Sequence, residues 1–172
     1  CYLLTNGLGG FSSLTMTGAV ARNDHSVFMA CVKAPNYRIN MIHRMKEELD
    51  IGESKYVFST QEFANGTKEE GYRYLTEFSF ETLPVWNYLI SGVEMEKEIV
   101  MEQGSNQIAL NYHLKNRSQE EAVLCVTPFF QFEPKGEDLK EDKIFSRQAQ
   151  KITDGKYNLF FETNGEAEEF QE

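Results

Sequence analysis

Val93-Glu94-Met95-Glu96-Lys97-Glu98-Ile99-Val100-Met101 is a strand written in period two. Successive side chains of an extended chain point to opposite faces. Val93, Met95, Ile99 and Met101 therefore share one face, and Glu94, Glu96, Glu98 and the following Glu102 share the other. An apolar face opposite a charged one marks an antiparallel sheet packed on one side and wet on the other. Lys97 falls inside the apolar row. A lysine there either snorkels to an edge or meets a buried carboxylate. An internal ion pair is the structural reading; a contact with a neighbouring domain is the functional one. The glutamates lie side by side, where like charges repel, so they read as a solvated face rather than a catalytic set.

The same period extends outward in both directions. Gly104-Ser105-Asn106 turns the chain into a row of Ile108, Leu110, Tyr112 and Leu114, and a further strand follows over 122–132. On the amino-terminal side, Ser91-Gly92 separates the strand from the short aromatic segment Trp86 to Ile90. Before Pro84, Tyr72, Tyr74, Thr76, Phe78 and Phe80 alternate with charged residues, which predicts one long strand. Val27 to Val32 is apolar on both faces and reads as a fully buried strand. Pro35-Asn36 turns it into a strand over 37–43. Met45 to Leu49 fits either the start of a helical turn or a continued alternation. Lys55 to Thr60 is a short strand, and Asn65-Gly66 marks a hairpin. Residues 133–143 read as a charged loop. A hairpin around Asp154-Gly155 joins one strand over 145–152 to another over 157–162. Residues 164–172 read as an acidic tail that frays. Many short strands without helical periodicity predict an all-β, antiparallel two-sheet sandwich.

The chain has 172 residues, which fits one domain with room for a small subdivision. A hydrophobic fraction of 41% is enough for a packed core. The net charge of −10 argues against nucleic acid or an acidic membrane surface as partner. No apolar run has membrane-spanning length, and no signal peptide is visible. Cys1, Cys31 and Cys125 are odd in number and widely spaced, which reads as buried thiols in a reducing, cytoplasmic setting. A metal site or cofactor is not expected. A chain beginning at Cys1 reads as a piece of a longer one.

Thr5-Asn6-Gly7-Leu8-Gly9-Gly10-Phe11 packs three glycines into a sharp turn. It lacks the Lys-Ser/Thr of a phosphate loop. Asp24 and His25 follow Arg22. They meet as a catalytic pair only if the chain turns there, and otherwise read as loop residues. His43 and His113 stand alone. Trp86 and Tyr88, with Phe78 and Phe80, read either as core or as a stacking platform for sugar rings.

As a set, these motifs resemble the amino-terminal domain of bacterial and archaeal glycogen debranching enzymes (amylo-α-1,6-glucosidases). The resemblance runs through Leu4 to Phe11, Gly18, Arg22, His25, Pro35 and Arg38. It continues with Pro84, Trp86, Tyr88, Glu96-Lys97, Gly104, Asn106, Tyr112 and 128–132. The chain departs from the pattern at Asn23, Asp24, Ser26 and Glu133-Pro134, places where polar glucan or interdomain contacts are expected. The resemblance implies a supersandwich of the kind found at the front of glucoamylase-type enzymes. It also implies a carboxy-terminal (α/α)6 barrel, outside these residues, that carries the catalytic acid and base. The parent chain would hydrolyse α-1,6-linked branch stubs. The partners implied are that catalytic domain and an α-glucan such as glycogen or limit dextrin. Asn6, Arg22, His25, Arg38, Trp86, Tyr88 and Lys97 are the candidates for substrate or interdomain contact, with no catalytic residue among them. A free-standing carbohydrate-binding module and a purely structural sandwich are the alternatives.

Overall fold

The computed structural model describes residues 1–168 and divides the chain into two compact units, Cys1–Glu137 and Asp138–Glu172. The larger unit holds two main antiparallel sheets. The first contains β1 (Leu4–Thr5), β2 (Phe11–Ser13), β3 (Ser26–Lys33), β4 (Tyr37–Ile51) and β12 (Ala122–Pro134), in the order β1-β2-β3-β4-β12. β5 (Ser54–Val57) adds to the far half of β4. β6 (Thr60–Glu62) and β7 (Lys68–Glu70) form a separate hairpin whose turn contains Asn65-Gly66. The second main sheet is a meander of β8 (Leu75–Phe80), β9 (Pro84–Ile90), β10 (Val93–Met101) and β11 (Ile108–Asn116), in the order β11-β10-β9-β8. The smaller unit is a three-stranded sheet of β13 (Ser146–Gln148), β14 (Lys151–Thr153) and β15 (Asn158–Phe160).

The all-β antiparallel prediction holds. β10 buries Val93, Met95, Lys97, Ile99 and Met101 and turns Glu94 out to solvent, as its period requires. β3 is buried from Ser26 to Cys31, but Val32, expected to be buried with the rest, is exposed. β4 is one strand of fifteen residues, which resolves Met45 to Leu49 as strand. Its length lets the first half pair with β3 and the second half with β5.

Four local readings need correction. The strand expected to begin at Tyr72 begins at Leu75, because residues Gly71–Arg73 form a 3-10 turn. Gly71 lies so close to Phe58 that a Cβ would sit 1.8 Å from its carbonyl oxygen, so only glycine fits at the start of that turn. The segment 145–152 is not one strand: Ala149, at φ +53°, turns β13 into β14. Glu133 and Pro134 belong to β12 rather than to a loop, and Glu133 is buried. Of the cysteines only Cys31 is buried, while Cys1 and Cys125 are exposed. The tail reading falls partly on residues 169–172, which lie outside the described residues.

The two main sheets meet along aromatic and polar contacts. Trp86 on β9 is fully buried; its Nε1–H donates to the Met16 carbonyl at 2.8 Å, and Tyr2 packs edge-on at 5.4 Å. Phe58 and Tyr88 pack at 5.3 Å. Lys97 is buried and paired with Glu47 of β4 at 2.5 Å, the internal ion pair expected of it. Trp86 and Tyr112 are its neighbours on the flanking strands. The Tyr112 hydroxyl donates to Glu47 at 2.5 Å.

Burial pushes the Tyr2, Tyr88 and Tyr112 phenols above their ordinary value, and the Glu47 carboxylate raises all three further. Their folded pKa lies above the unfolded value near 10, so their contribution is complete below about pH 10 and is lost as pH rises beyond it. In an alkaline titration these three phenols are expected to ionise together with loss of the sheet signal in circular dichroism. Ionisation of all eight tyrosines before any unfolding would contradict the placement.

Candidate functional site

The glycine-rich segment between β1 and β2 is built around one side chain. Asn6 is fully buried, and its Oδ1 accepts from the Leu8 and Gly10 amides at 3.0 and 2.9 Å. Its Nδ2 donates to the Ser105 carbonyl at 2.8 Å and to Asn106 Oδ1 at 3.0 Å. Asn106 in turn bonds both backbone groups of Cys31 on β3, donating at 2.8 Å and accepting at 3.2 Å. The two asparagines thus tie the glycine loop, the β10–β11 turn and the first sheet together. Gly10 has to be glycine: a Cβ would lie 2.7 Å from Asn6 Nδ2 and 3.0 Å from the Met29 carbonyl.

The sequence candidates separate into two groups. Asn6, Trp86, Tyr88 and Lys97 are buried. Trp86 is packed against Tyr2 and Phe78, with Lys97 Nζ 5.2 Å from its ring centre, so no ring face is left for a sugar. The stacking-platform reading of Trp86 is thereby corrected to core. Arg22 is exposed and Arg38 half-buried, while His25 joins the buried group. Arg22 and Arg38 line a groove of about 490 Å³ beside the glycine loop, together with Phe11, Asp24 and Lys135.

His25 is buried behind Arg22. Its Nδ1 accepts from the Ala21 amide at 3.0 Å. Its Nε2 meets the Arg22 guanidinium, which donates from Nε at 3.2 Å and approaches with Nη2 at 3.1 Å. A neutral imidazole has one acceptor nitrogen, so only one of these two contacts is a full hydrogen bond at a time, and an imidazolium would keep neither. Burial first and the Arg22 charge second hold the His25 pKa below its ordinary value. Asp24 points elsewhere, to Lys135 Nζ at 3.1 Å, so Asp24 and His25 are not a catalytic pair. Arg38 donates from Nε to the Gly9 carbonyl, and its guanidinium lies 6.0 Å from the centre of the Phe11 ring.

Sequence reasoning missed Glu47, Phe11 and Lys135. The signal for Glu47 was its place on the same face as Leu49 and Ile51, visible once the segment is taken as strand. Phe11 and Lys135 carry no local signal, because they meet only through the fold.

Among the described residues, no helix is long and apolar enough to cross a membrane. The family model described as glycogen debranching enzyme N terminal matches residues 1–171. A stretch of 61 residues is 34% identical to the membrane protein insertase YidC of Thiobacillus denitrificans. That stretch is 36% of this chain and spans only 11% of the insertase's length. No solved structure matches the chain.

A histidine whose folded pKa is depressed contributes stability that is present above its unfolded pKa near 6.5 and is lost as pH falls below it. Wild-type unfolding free energy is expected to decline on acidification below about pH 6.5, with this site contributing at most about 1.4 kcal/mol per pH unit. In His25→Gln that part of the slope should disappear. Denaturant titrations at a series of pH values measure it, and identical slopes in the two proteins would contradict the assignment.

Proposed function

Since the chain belongs to the glycogen debranching enzyme N-terminal family, we propose that it is the non-catalytic front domain of a cytoplasmic glycoside hydrolase. The parent chain would hydrolyse α-1,6-glucosidic branch stubs of glycogen or limit dextrin. Its acid and base carboxylates would stand on a carboxy-terminal (α/α)6 barrel, and this domain would pack on that barrel and shape one wall of the glucan cleft.

The family match over residues 1–171 carries this reading. The fate of the polar motif residues supports it. Asn6, Trp86, Tyr88 and Lys97 are spent on joining two sheets, so the part they play is to make a rigid platform. The accessible motif residues Arg22 and Arg38 gather in one groove with the exposed Leu3. Burial of Trp86 weighs against the free-standing carbohydrate-binding module.

Glucose release from phosphorylase-trimmed glycogen tests the proposal. The 172-residue chain alone is expected to release none, and the parent chain with its downstream domain is expected to release glucose. Hydrolysis by the 172-residue chain by itself, or a parent chain inert on α-1,6 branches, would contradict it.

A further inference from the structure

The groove beside the glycine loop has a charge that the rest of the chain does not. The protein carries a net charge of −10, yet Arg22, Arg38 and Lys135 converge here against the one carboxylate of Asp24, which Lys135 already holds at 3.1 Å. In the larger unit, Arg44, Arg73 and Arg117 each bond a carboxylate, at 2.8, 2.9 and 2.8 Å. Among the described residues, Arg22 and Arg38 have no carboxylate partner. Arg22 donates to the His25 ring and lies 3.5 Å from the Cys1 sulfur; Arg38 donates to the Gly9 and Pro35 carbonyls. Two guanidiniums in one groove with no carboxylate partner among the described residues are an unfilled half of an ion pair.

Both are also held in place. The Gly9 carbonyl and Phe11 fix Arg38, and the buried His25 ring fixes Arg22, so little side-chain entropy remains to be lost on binding. A guanidinium fork matches the two oxygens of a carboxylate. The walls beside it are apolar: Tyr2, Leu3 and Phe11.

We propose that this groove is a binding site for a carboxylate carried on a short organic body, with Arg22 and Arg38 as the ligand-contacting residues and Lys135 as the supporting charge. The site does not depend on the enzymatic reading above.

The test is a backbone-amide NMR titration of the 172-residue chain with N-acetylaspartate. N-acetylasparagine amide, in which both carboxylates are replaced by amides, serves as the neutral isostere and inorganic phosphate as the rival anion. Saturable shifts confined to Gly9, Gly10, Phe11 and Arg22 are expected with N-acetylaspartate and not with the amide. Arg22→Gln should weaken binding about tenfold, as should Arg38→Lys, which keeps the charge but loses the fork. Arg117→Gln, in the connection between β11 and β12, should leave binding unchanged. Equal response to the neutral isostere, tighter binding of phosphate, no saturation, or wild-type affinity in Arg22→Gln and Arg38→Lys would each overturn the proposal. A spectrum retaining wild-type dispersion in each variant keeps folding separate from binding.

Discussion

The ion pair between Glu47 and Lys97 is the constraint on which the larger unit turns. Each side chain is only 3% exposed, and they belong to different sheets. Removing two charges from water costs several kcal/mol per ion, and their attraction offsets that only with good geometry and further hydrogen bonds. Those further contacts are present. The Tyr112 hydroxyl donates to the same carboxylate oxygen, and the Trp86 ring faces the ammonium. Trp86, Lys97 and Tyr112 form one row across three strands, so the second sheet presents a prepared site to a single residue of β4. A slip of either sheet by one residue would turn its half of the pair to solvent. The pair therefore fixes the register of the stack as well as its stability.

The asparagine pair performs the corresponding task at the edge. Asn6 and Asn106 satisfy backbone groups of three separate segments, which lets three glycines lie in one short turn without leaving buried amides unbonded. The rigidity that results is what presents Arg38 to the groove, because the carbonyl it bonds belongs to Gly9. Core architecture and surface chemistry are linked through that one loop.

The sheet-forming elements were legible in the sequence wherever one face was apolar and the other wet. β10 is the clearest case, and Lys97 stood out because it broke the pattern. Glu47 did not stand out, since a segment of alternating charges and apolar residues also fits a helical turn. The turn at Gly71 escaped because the need for glycine there comes from the Phe58 backbone, thirteen positions away and brought close only by folding. Trp86 was ambiguous for a related reason: ring faces cannot be assigned to core or solvent until their neighbours are known. Arg22 and Arg38 were marked by motif, but that no carboxylate among the described residues reaches them is a property of the folded chain. Family membership and the all-β class were thus readable early, while the groove required three dimensions.

The polar residues of the motif act first as a clamp between sheets. A double-mutant cycle over Lys97→Met and Glu47→Gln, read as unfolding free energy in denaturant, tests it most directly. Glutamine still accepts from Tyr112, so the cycle isolates the charge pair. Each single variant is expected to lose about 3–5 kcal/mol, because it leaves one buried charge alone. The double variant should lose clearly less than the sum, with a coupling of about 2–3 kcal/mol. Small, additive losses would contradict the clamp.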